Sequence, residues 1–185
     1  MKNNKLKKVF RTPICLHSFL KNTQSVVVDG ISMNTENLFS FENKNRVRPA
    51  VDFAEKVLPV LPKKLQSRKN QLIYSDLARC AREVNVLRGV LKKRLPKLQK
   101  LIPIICSMAT KQSGGKKGIL VNSKNGSNIF HCLDDNKKIL SIIVFYHADC
   151  WLFRSFKFGE IGHLSKGDRV FRSIFDSRFK KSSFL

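Results

Sequence analysis

Between residues 118 and 175 the sequence carries five short runs enriched in Ile, Val, Phe and Tyr, at 118–122, 128–133, 139–146, 151–158 and 169–175. Turn-forming residues separate them: Asn125-Gly126, Asp134-Asp135-Asn136, Ala148-Asp149 and Ser165-Lys166-Gly167-Asp168. Runs of this length and composition, bounded by such turns, read as strands. Four or five short strands in so small a span predict an antiparallel sheet, a sandwich or a barrel. Along 151–158 the alternation assigns faces. Phe153 and Ser155 share one side, and Arg154, Phe156 and Phe158 share the other.

Upstream the texture differs. Residues 51–59 are apolar, and Pro59 and Pro62 stop any helix there. Leu77, Ala81, Val84, Leu87, Leu91, Leu95 and Leu98 recur at three- and four-residue spacing, which predicts a helix. Gly89 and Pro96 leave open whether it is short, ending near Gly89, or long. Residues 29–50 are rich in Asn, Ser and Glu and read as loop or short strands. The expected organisation is a basic arm and linker over 1–48, a β domain over 49–180 containing a basic segment 88–117, and a tail at 181–185.

Charge then limits the partners. Lys and Arg number 36 against 13 Asp and Glu, a net charge of +23. Residues 84–133 hold ten basic groups and no acid, and the first 28 residues hold six and no acid. Such runs attract polyanions, and salt-sensitive, sequence-tolerant binding follows from counterion release. Hydrophobic residues at 42% exclude wholesale disorder. The apolar stretch 139–145 falls far short of the ~20 residues of a membrane-spanning helix. Five cysteines (Cys15, Cys80, Cys106, Cys132 and Cys150) at uneven spacing argue against a secreted disulfide scaffold. Arg11, Thr12, Pro13 and His17 interrupt what a signal peptide would need as an apolar core.

The chemistry-bearing residues are few. The loop 111–118 is basic and Gly-rich, but its glycine spacing is wrong for a phosphate-binding loop, and no Ser or Thr follows the lysine. Cys132, His147, Cys150 and His163 could form a zinc site, although paired Cys-x-x-Cys or His-x-x-x-His elements are lacking. Cys132 or Cys150 with His147 could make a nucleophile pair, but nothing local marks an activated thiolate. Asp134-Asp135 reads as a turn cap more readily than as a metal site. No catalytic residue and no cofactor are expected. The strand 151–158 interleaves Trp151 and three Phe with Arg154 and Lys157. Rings stack on bases and cations meet the backbone in single-strand binders.

Three patches resemble plant-virus movement proteins of the thirty-kilodalton superfamily. Glu55-Lys56-Val57-Leu58-Pro59 is similar to a motif near the start of the tobamovirus members. Glu83-Val84-Asn85-Val86-Leu87-Arg88-Gly89-Val90 resembles the segment that follows it there. Cys132-Leu133-Asp134-Asp135 looks like the short aspartate-terminated strand of the wider superfamily, with Asp135 in the place of the architectural aspartate. The resemblance covers about residues 51–160. It implies a mainly β, α+β fold: a jelly-roll-like antiparallel β-sandwich, complete or lacking its later strands, with a short helix before it.

It also implies a viral cell-to-cell movement protein, not an enzyme. Such a protein binds single-stranded RNA without sequence preference, self-associates on it and carries the genome through plasmodesmata. The host cytoplasm and the endoplasmic reticulum membrane are the expected locations. An anionic membrane surface is a further expected partner, met by the basic N-terminus with Leu6, Phe10, Leu16 and Leu20. The residues expected to hold RNA are Arg88, Lys92, Lys93, Arg94, Lys97, Lys100, Lys116, Lys117, Trp151 and Arg154. Two alternatives stand beside this reading. One is a ribosomal or organellar RNA-binding protein with one defined site. The other is a zinc-dependent nucleic-acid-binding protein or nuclease.

Overall fold

The structure is a computed structural model and describes residues 19–29, 31–40, 47–67, 69–90, 95–122 and 126–174. Within them the chain runs β1 (Leu20–Val28), β2 (Ile31–Asn34), α1 (Thr35–Phe39), β3 (Val47–Pro49), α2 (Val51–Lys56), β4 (Lys64–Ser67), β5 (Asn70–Leu77) and β6 (Ala81–Arg82). It continues through α3 (Glu83–Val90), α4 (Leu98–Lys111), β7 (Asn128–Leu133), β8 (Ile139–His147), β9 (Cys150–Lys157), β10 (His163–Leu164) and β11 (Arg169–Ile174). The fold is mainly β, of the α+β class, and sandwich-like. Seven strands form one sheet in the order β1-β5-β11-β7-β8-β9-β3, and β2 pairs with β4 in a second, small sheet. Two pairs of the large sheet, β11–β7 and β3–β9, are parallel. An all-antiparallel pattern would lack them.

Strand β7 lies at the centre of that sheet. Phe130 and Cys132 point into the main core, while Ile129 and His131 are buried on the opposite, outer face. Burial on both faces explains why its sequence is almost continuously apolar rather than alternating. Strand β9 has one covered face. Phe153 and Ser155 are buried, Arg154 is exposed and Phe156 is half-buried, so the alternation expected from sequence holds.

Helix α4 fills the space between the two sheets. It packs against β1, β3 and β7 of the large sheet and β2 and β4 of the small one. Leu98, Leu101, Ile102, Ile104, Ile105 and Met108 are all buried, each stabilising the fold by roughly 1.5–3 kcal/mol. Phe53 of α2, Phe39 of α1 and Phe153 of β9 meet edge-on or tilted at 5.5–5.7 Å between centroids and close one end of this core.

The sequence pattern did not reveal α4. A helix buried on nearly all sides has no polar stripe, and Pro103 inside it removes one helical hydrogen bond. The periodic residues read as a helix divide among four elements instead, the last of them, Leu98, opening α4. Leu77 ends β5, Ala81 lies in β6, and Leu87 belongs to the short helix α3, which ends at Val90. The segment read as arm and linker also enters the fold from Leu20 onward. Val28, Leu38, Phe39 and Val47 join the main core. The arm residues 1–18, including Leu6, Phe10 and Leu16, and the tail 181–185 lie outside the described residues. No helix among the described residues is long and apolar enough to cross a membrane.

Residues 118–122, expected as a strand, pair with no strand. Two buried amide side chains satisfy this backbone instead. Gln112 Nε2 donates to the carbonyls of Lys116 (2.9 Å) and Leu120 (3.1 Å), and its Oε1 accepts from Leu120 N–H at 2.7 Å. Asn128 Nδ2 donates to the carbonyls of Val121 (2.9 Å) and Val144 (3.0 Å), and its Oδ1 accepts from Val121 N–H at 2.7 Å. Buried backbone groups without partners cost about 1–3 kcal/mol each. Asn128→Ala is therefore expected to destabilise the fold by about 2–4 kcal/mol. The exposed control Gln66→Ala should stay within about 0.5 kcal/mol. Urea unfolding of both variants measures this, and equal midpoints would refute the amide's role.

Candidate nucleic-acid interface

The turn joining β7 to β8 gathers lysines at one end of the large sheet. Asp134 shapes it: its Oδ1 accepts from Lys138 N–H at 2.7 Å, and its carbonyl accepts from Lys137 N–H at 3.0 Å. Lys137 takes a left-handed backbone, φ 60°. Beside the turn, Leu133 N–H donates to the Pro96 carbonyl at 2.8 Å, which brings Lys97 and the start of α4 alongside. From the other side, Lys157 of β9 pairs with Leu140 of β8. Lys97, Lys100, Lys137, Lys138 and Lys157 are all exposed at this end. Lys97 is also the N-cap of α4, gives its first-turn amides no side-chain acceptor, and no acid stands in that turn. The positive end of the helix dipole thus adds to the lysines.

The carboxylates here are occupied within the protein. Asp134 holds the turn. Asp135, expected as the family's strand-end aspartate, is exposed in the turn and accepts from Gln99 Nε2 at 3.3 Å. Glu160 accepts from Lys157 N–H at 2.8 Å. The same holds farther away. Asp52 Oδ2 accepts from Ser155 N–H at 2.7 Å, and Asp168 accepts from Ser127 and Ser165 N–H at 2.9 and 2.7 Å. Acids here tie loops to strands, while the lysines of the turn face solvent.

Next to this end, the outer face of β9 presents Arg154 above Phe156, with the guanidinium carbon 4.6 Å from the ring centroid. Arg154 Nε also donates to Asp52 Oδ1 at 3.3 Å. The pair gives a flat cationic surface, the kind on which a base can stack.

Of the residues expected to hold RNA, Lys97, Lys100 and Arg154 are brought to this end and face. Lys116 and Lys117 are exposed but follow the C-terminus of α4. Its 14 residues separate them from Lys97 by about 21 Å. The expected continuous ribbon over 88–117 is thus divided by a buried helix. Lys92, Lys93 and Arg94 lie outside the described residues, as does the side chain of Arg88. Trp151 is corrected. It is fully buried, donates Nε1–H to the Gln112 carbonyl at 2.9 Å and packs against Tyr146, so no base can stack on it. Phe156 belongs to the strand read from sequence as interleaving rings with cations, but neither it nor the lysines of the β7–β8 turn were among the residues expected to hold RNA. Lys137-Lys138 beside the Asp134-Asp135 turn was the available signal.

The zinc set and the pairing of Cys132 with His147 lose their geometry. Cys132 is in the main core, and burial pushes its thiol up to about 12, with Asp134 adding to the shift. His147 and Cys150 lie across the sheet from it, on the outer face, and Cys150 Sγ donates to the His147 carbonyl at 3.1 Å. Among the described residues no three His, Cys, Asp or Glu side chains converge as a metal site, so the set Cys132, His147, Cys150 and His163 is not assembled. One buried polar cluster does exist under the outer face. Glu83 of α3 takes hydrogen bonds from Ser141 Oγ, from Gly159 N–H at 2.8 Å, and lies 3.2 Å from His131 Nε2. Ser141 is bonded to the carboxylate and not to the imidazole, so the serine–histidine contact of a nucleophilic pair is not made. The cluster pins α3 to β7 and β8.

Comparison with protein-family models, with curated proteins and with solved structures finds no match to this chain.

Burial raises the Glu83 carboxyl, but hydrogen bonds from His131, Ser141 and Gly159 more than offset it and hold the group below its ordinary 4.5. A depressed carboxylate stabilises the fold above its ordinary range, and that contribution is lost as pH falls through the folded value. Glu83→Gln should cost about 2–4 kcal/mol at neutral pH. The gap from the parent protein should narrow as pH falls below 4.5. Denaturant titrations across that range check this, and a gap that stays constant or widens contradicts it.

Proposed function

We propose that this chain is a non-enzymatic RNA-binding protein that coats single strands with little regard to sequence, and that it serves as a viral cell-to-cell movement protein. The observation that carries the RNA-binding part is the division of labour among charges. Asp52, Asp134, Glu160 and Asp168 accept backbone amides and so hold the fold together, while the lysines around the β7–β8 turn face solvent on a chain of net charge +23. A polyanion is the partner that such a surface attracts. Lys97, Lys100, Lys137, Lys138 and Lys157 contact phosphates, and Arg154 with Phe156 offers a stacking surface beside them. No bond is made or broken, since the binding needs many weak contacts and not one reactive group.

The transport role rests on the three sequence patches. Glu55-Lys56-Val57-Leu58-Pro59 spans the end of α2 and the turn after it, and residues 83–90 form α3. On this reading the protein self-associates along viral RNA and works at the endoplasmic reticulum membrane and plasmodesmata of the host plant.

Anisotropy titrations of mixed-sequence single-stranded RNA against salt concentration test the binding. Each phosphate contact on a single strand contributes about 0.7 to the slope of log affinity against log salt. The triple variant Lys97→Gln, Lys100→Gln, Lys138→Gln is expected to flatten that slope by about 2. An unchanged slope would remove this end of the sheet from the interface. Saturable binding to a single defined RNA, with random strands ignored, would favour a ribosomal or organellar role instead.

A further inference from the structure

We infer that the cleft between β8 and β10 is a binding site for one unstacked base of the RNA strand. This inference rests on the RNA-binding reading and adds to it a place where the base, not the phosphate, is held. The cleft has a volume of about 680 Å³, within the ~300–1,000 Å³ of small-ligand sites. Its floor is apolar, made by Ile129, Ile143, Phe145 and Leu164, and His147 and His163 stand exposed at its rim.

The walls are held in place. Asp168 accepts from Ser127 N–H on one lip (2.9 Å) and from Ser165 N–H on the other (2.7 Å). Gly167 N–H then donates to the Leu77 carbonyl at 3.0 Å, which fastens that loop to β5. These bonds fix the two lips relative to each other and to β5.

The chemistry of the lining selects the occupant. Among the described residues no Lys or Arg lines it, so this lining offers a phosphate no cationic partner. Yet it opens on the same outer sheet face as Arg154 and Phe156, on a chain of net charge +23. A polyanion with an uncharged, flat, partly apolar portion fits both facts. A nucleobase can lay its face on Phe145, and its polar edge can meet the imidazoles of His147 and His163. A lipid acyl chain suits the floor but would strip water from two imidazoles and give nothing in return.

The test follows the imidazole C–H proton signals of the full chain, whose sequence holds only four histidines. The protein is titrated with single-stranded RNA, with inorganic polyphosphate of equal charge, and with phosphatidylserine vesicles. RNA is expected to shift the His147 and His163 signals at saturation, and polyphosphate is expected to leave them in place. Phe145→Ala should weaken RNA binding about fivefold or more without changing polyphosphate binding. His163→Ala, at an exposed position, should act in the same direction and keeps the test open if the Phe145 variant fails to fold. RNA that binds with these signals unmoved, or moved equally by polyphosphate, overturns the cleft site and leaves the wider reading intact. Vesicles that move them where RNA does not overturn it in favour of lipid. No RNA binding even in dilute buffer overturns both.

Discussion

The burial of α4 constrains everything else in this protein. An apolar helix enclosed on nearly all sides cannot carry charge along its length, so the lysines of this region are pushed to its two ends. Lys97 and Lys100 emerge at one, Lys116 and Lys117 at the other. The large sheet and the small β2–β4 sheet then have a helix between them instead of each other, and the backbone after the helix must be satisfied without a strand partner. Gln112, at the helix C-cap, does part of that work. Gly115 does another part. It takes φ +67° and lies so close to the Tyr146 ring that any Cβ would collide with it.

A second economy follows from the shortage of acids. With 13 carboxylates against 36 basic residues, the acids whose contacts are described here serve mostly as hydrogen-bond acceptors within the fold. Asp52 joins α2 to β9, Asp134 shapes the β7–β8 turn, and Asp168 joins two loops. Glu83 joins α3 to the sheet and to Gly159. Burial pushes the Asp168 carboxyl up, and the two amides it accepts from oppose that shift. These carboxylates keep their charge, so the cationic exterior comes from the 36 basic residues that outnumber them. Architecture and electrostatics thus point to the same consequence, a stable scaffold with a cationic exterior.

How much of this was legible in the residues varied with local pattern. Strands β7, β8, β9 and β11 were readable because turn residues bracket runs of β-branched and aromatic side chains. The facing of Arg154 and Phe156 followed from simple alternation. Helix α4 was not readable, since its stretch 101–109 is buried on every side and shows no polar stripe, and Pro103 argues locally against a helix. Strand β1 was taken for a basic arm because Lys21, Asn22 and Gln24 look like coil, yet it sits at the edge of the sheet, where one side of the backbone stays open to water. Trp151 misled for the opposite reason: a ring among Arg and Lys in sequence can still face the core. The lysines of the β7–β8 turn were overlooked because they are adjacent to Asp134 and Asp135, and only the hydrogen bonds of those acids show that the lysines are not their partners.

The central claim is that one end of the large sheet, and not the basic composition as a whole, contacts single-stranded RNA. Lysine-selective acetylation with and without bound RNA, read by mass spectrometry of the peptides, measures this directly. Lys97, Lys100, Lys137, Lys138 and Lys157 should lose reactivity together when RNA is bound, while Lys63 and Lys64 beside the small sheet keep theirs. Protection spread evenly over all of these lysines, or confined to Lys63 and Lys64, would contradict the account.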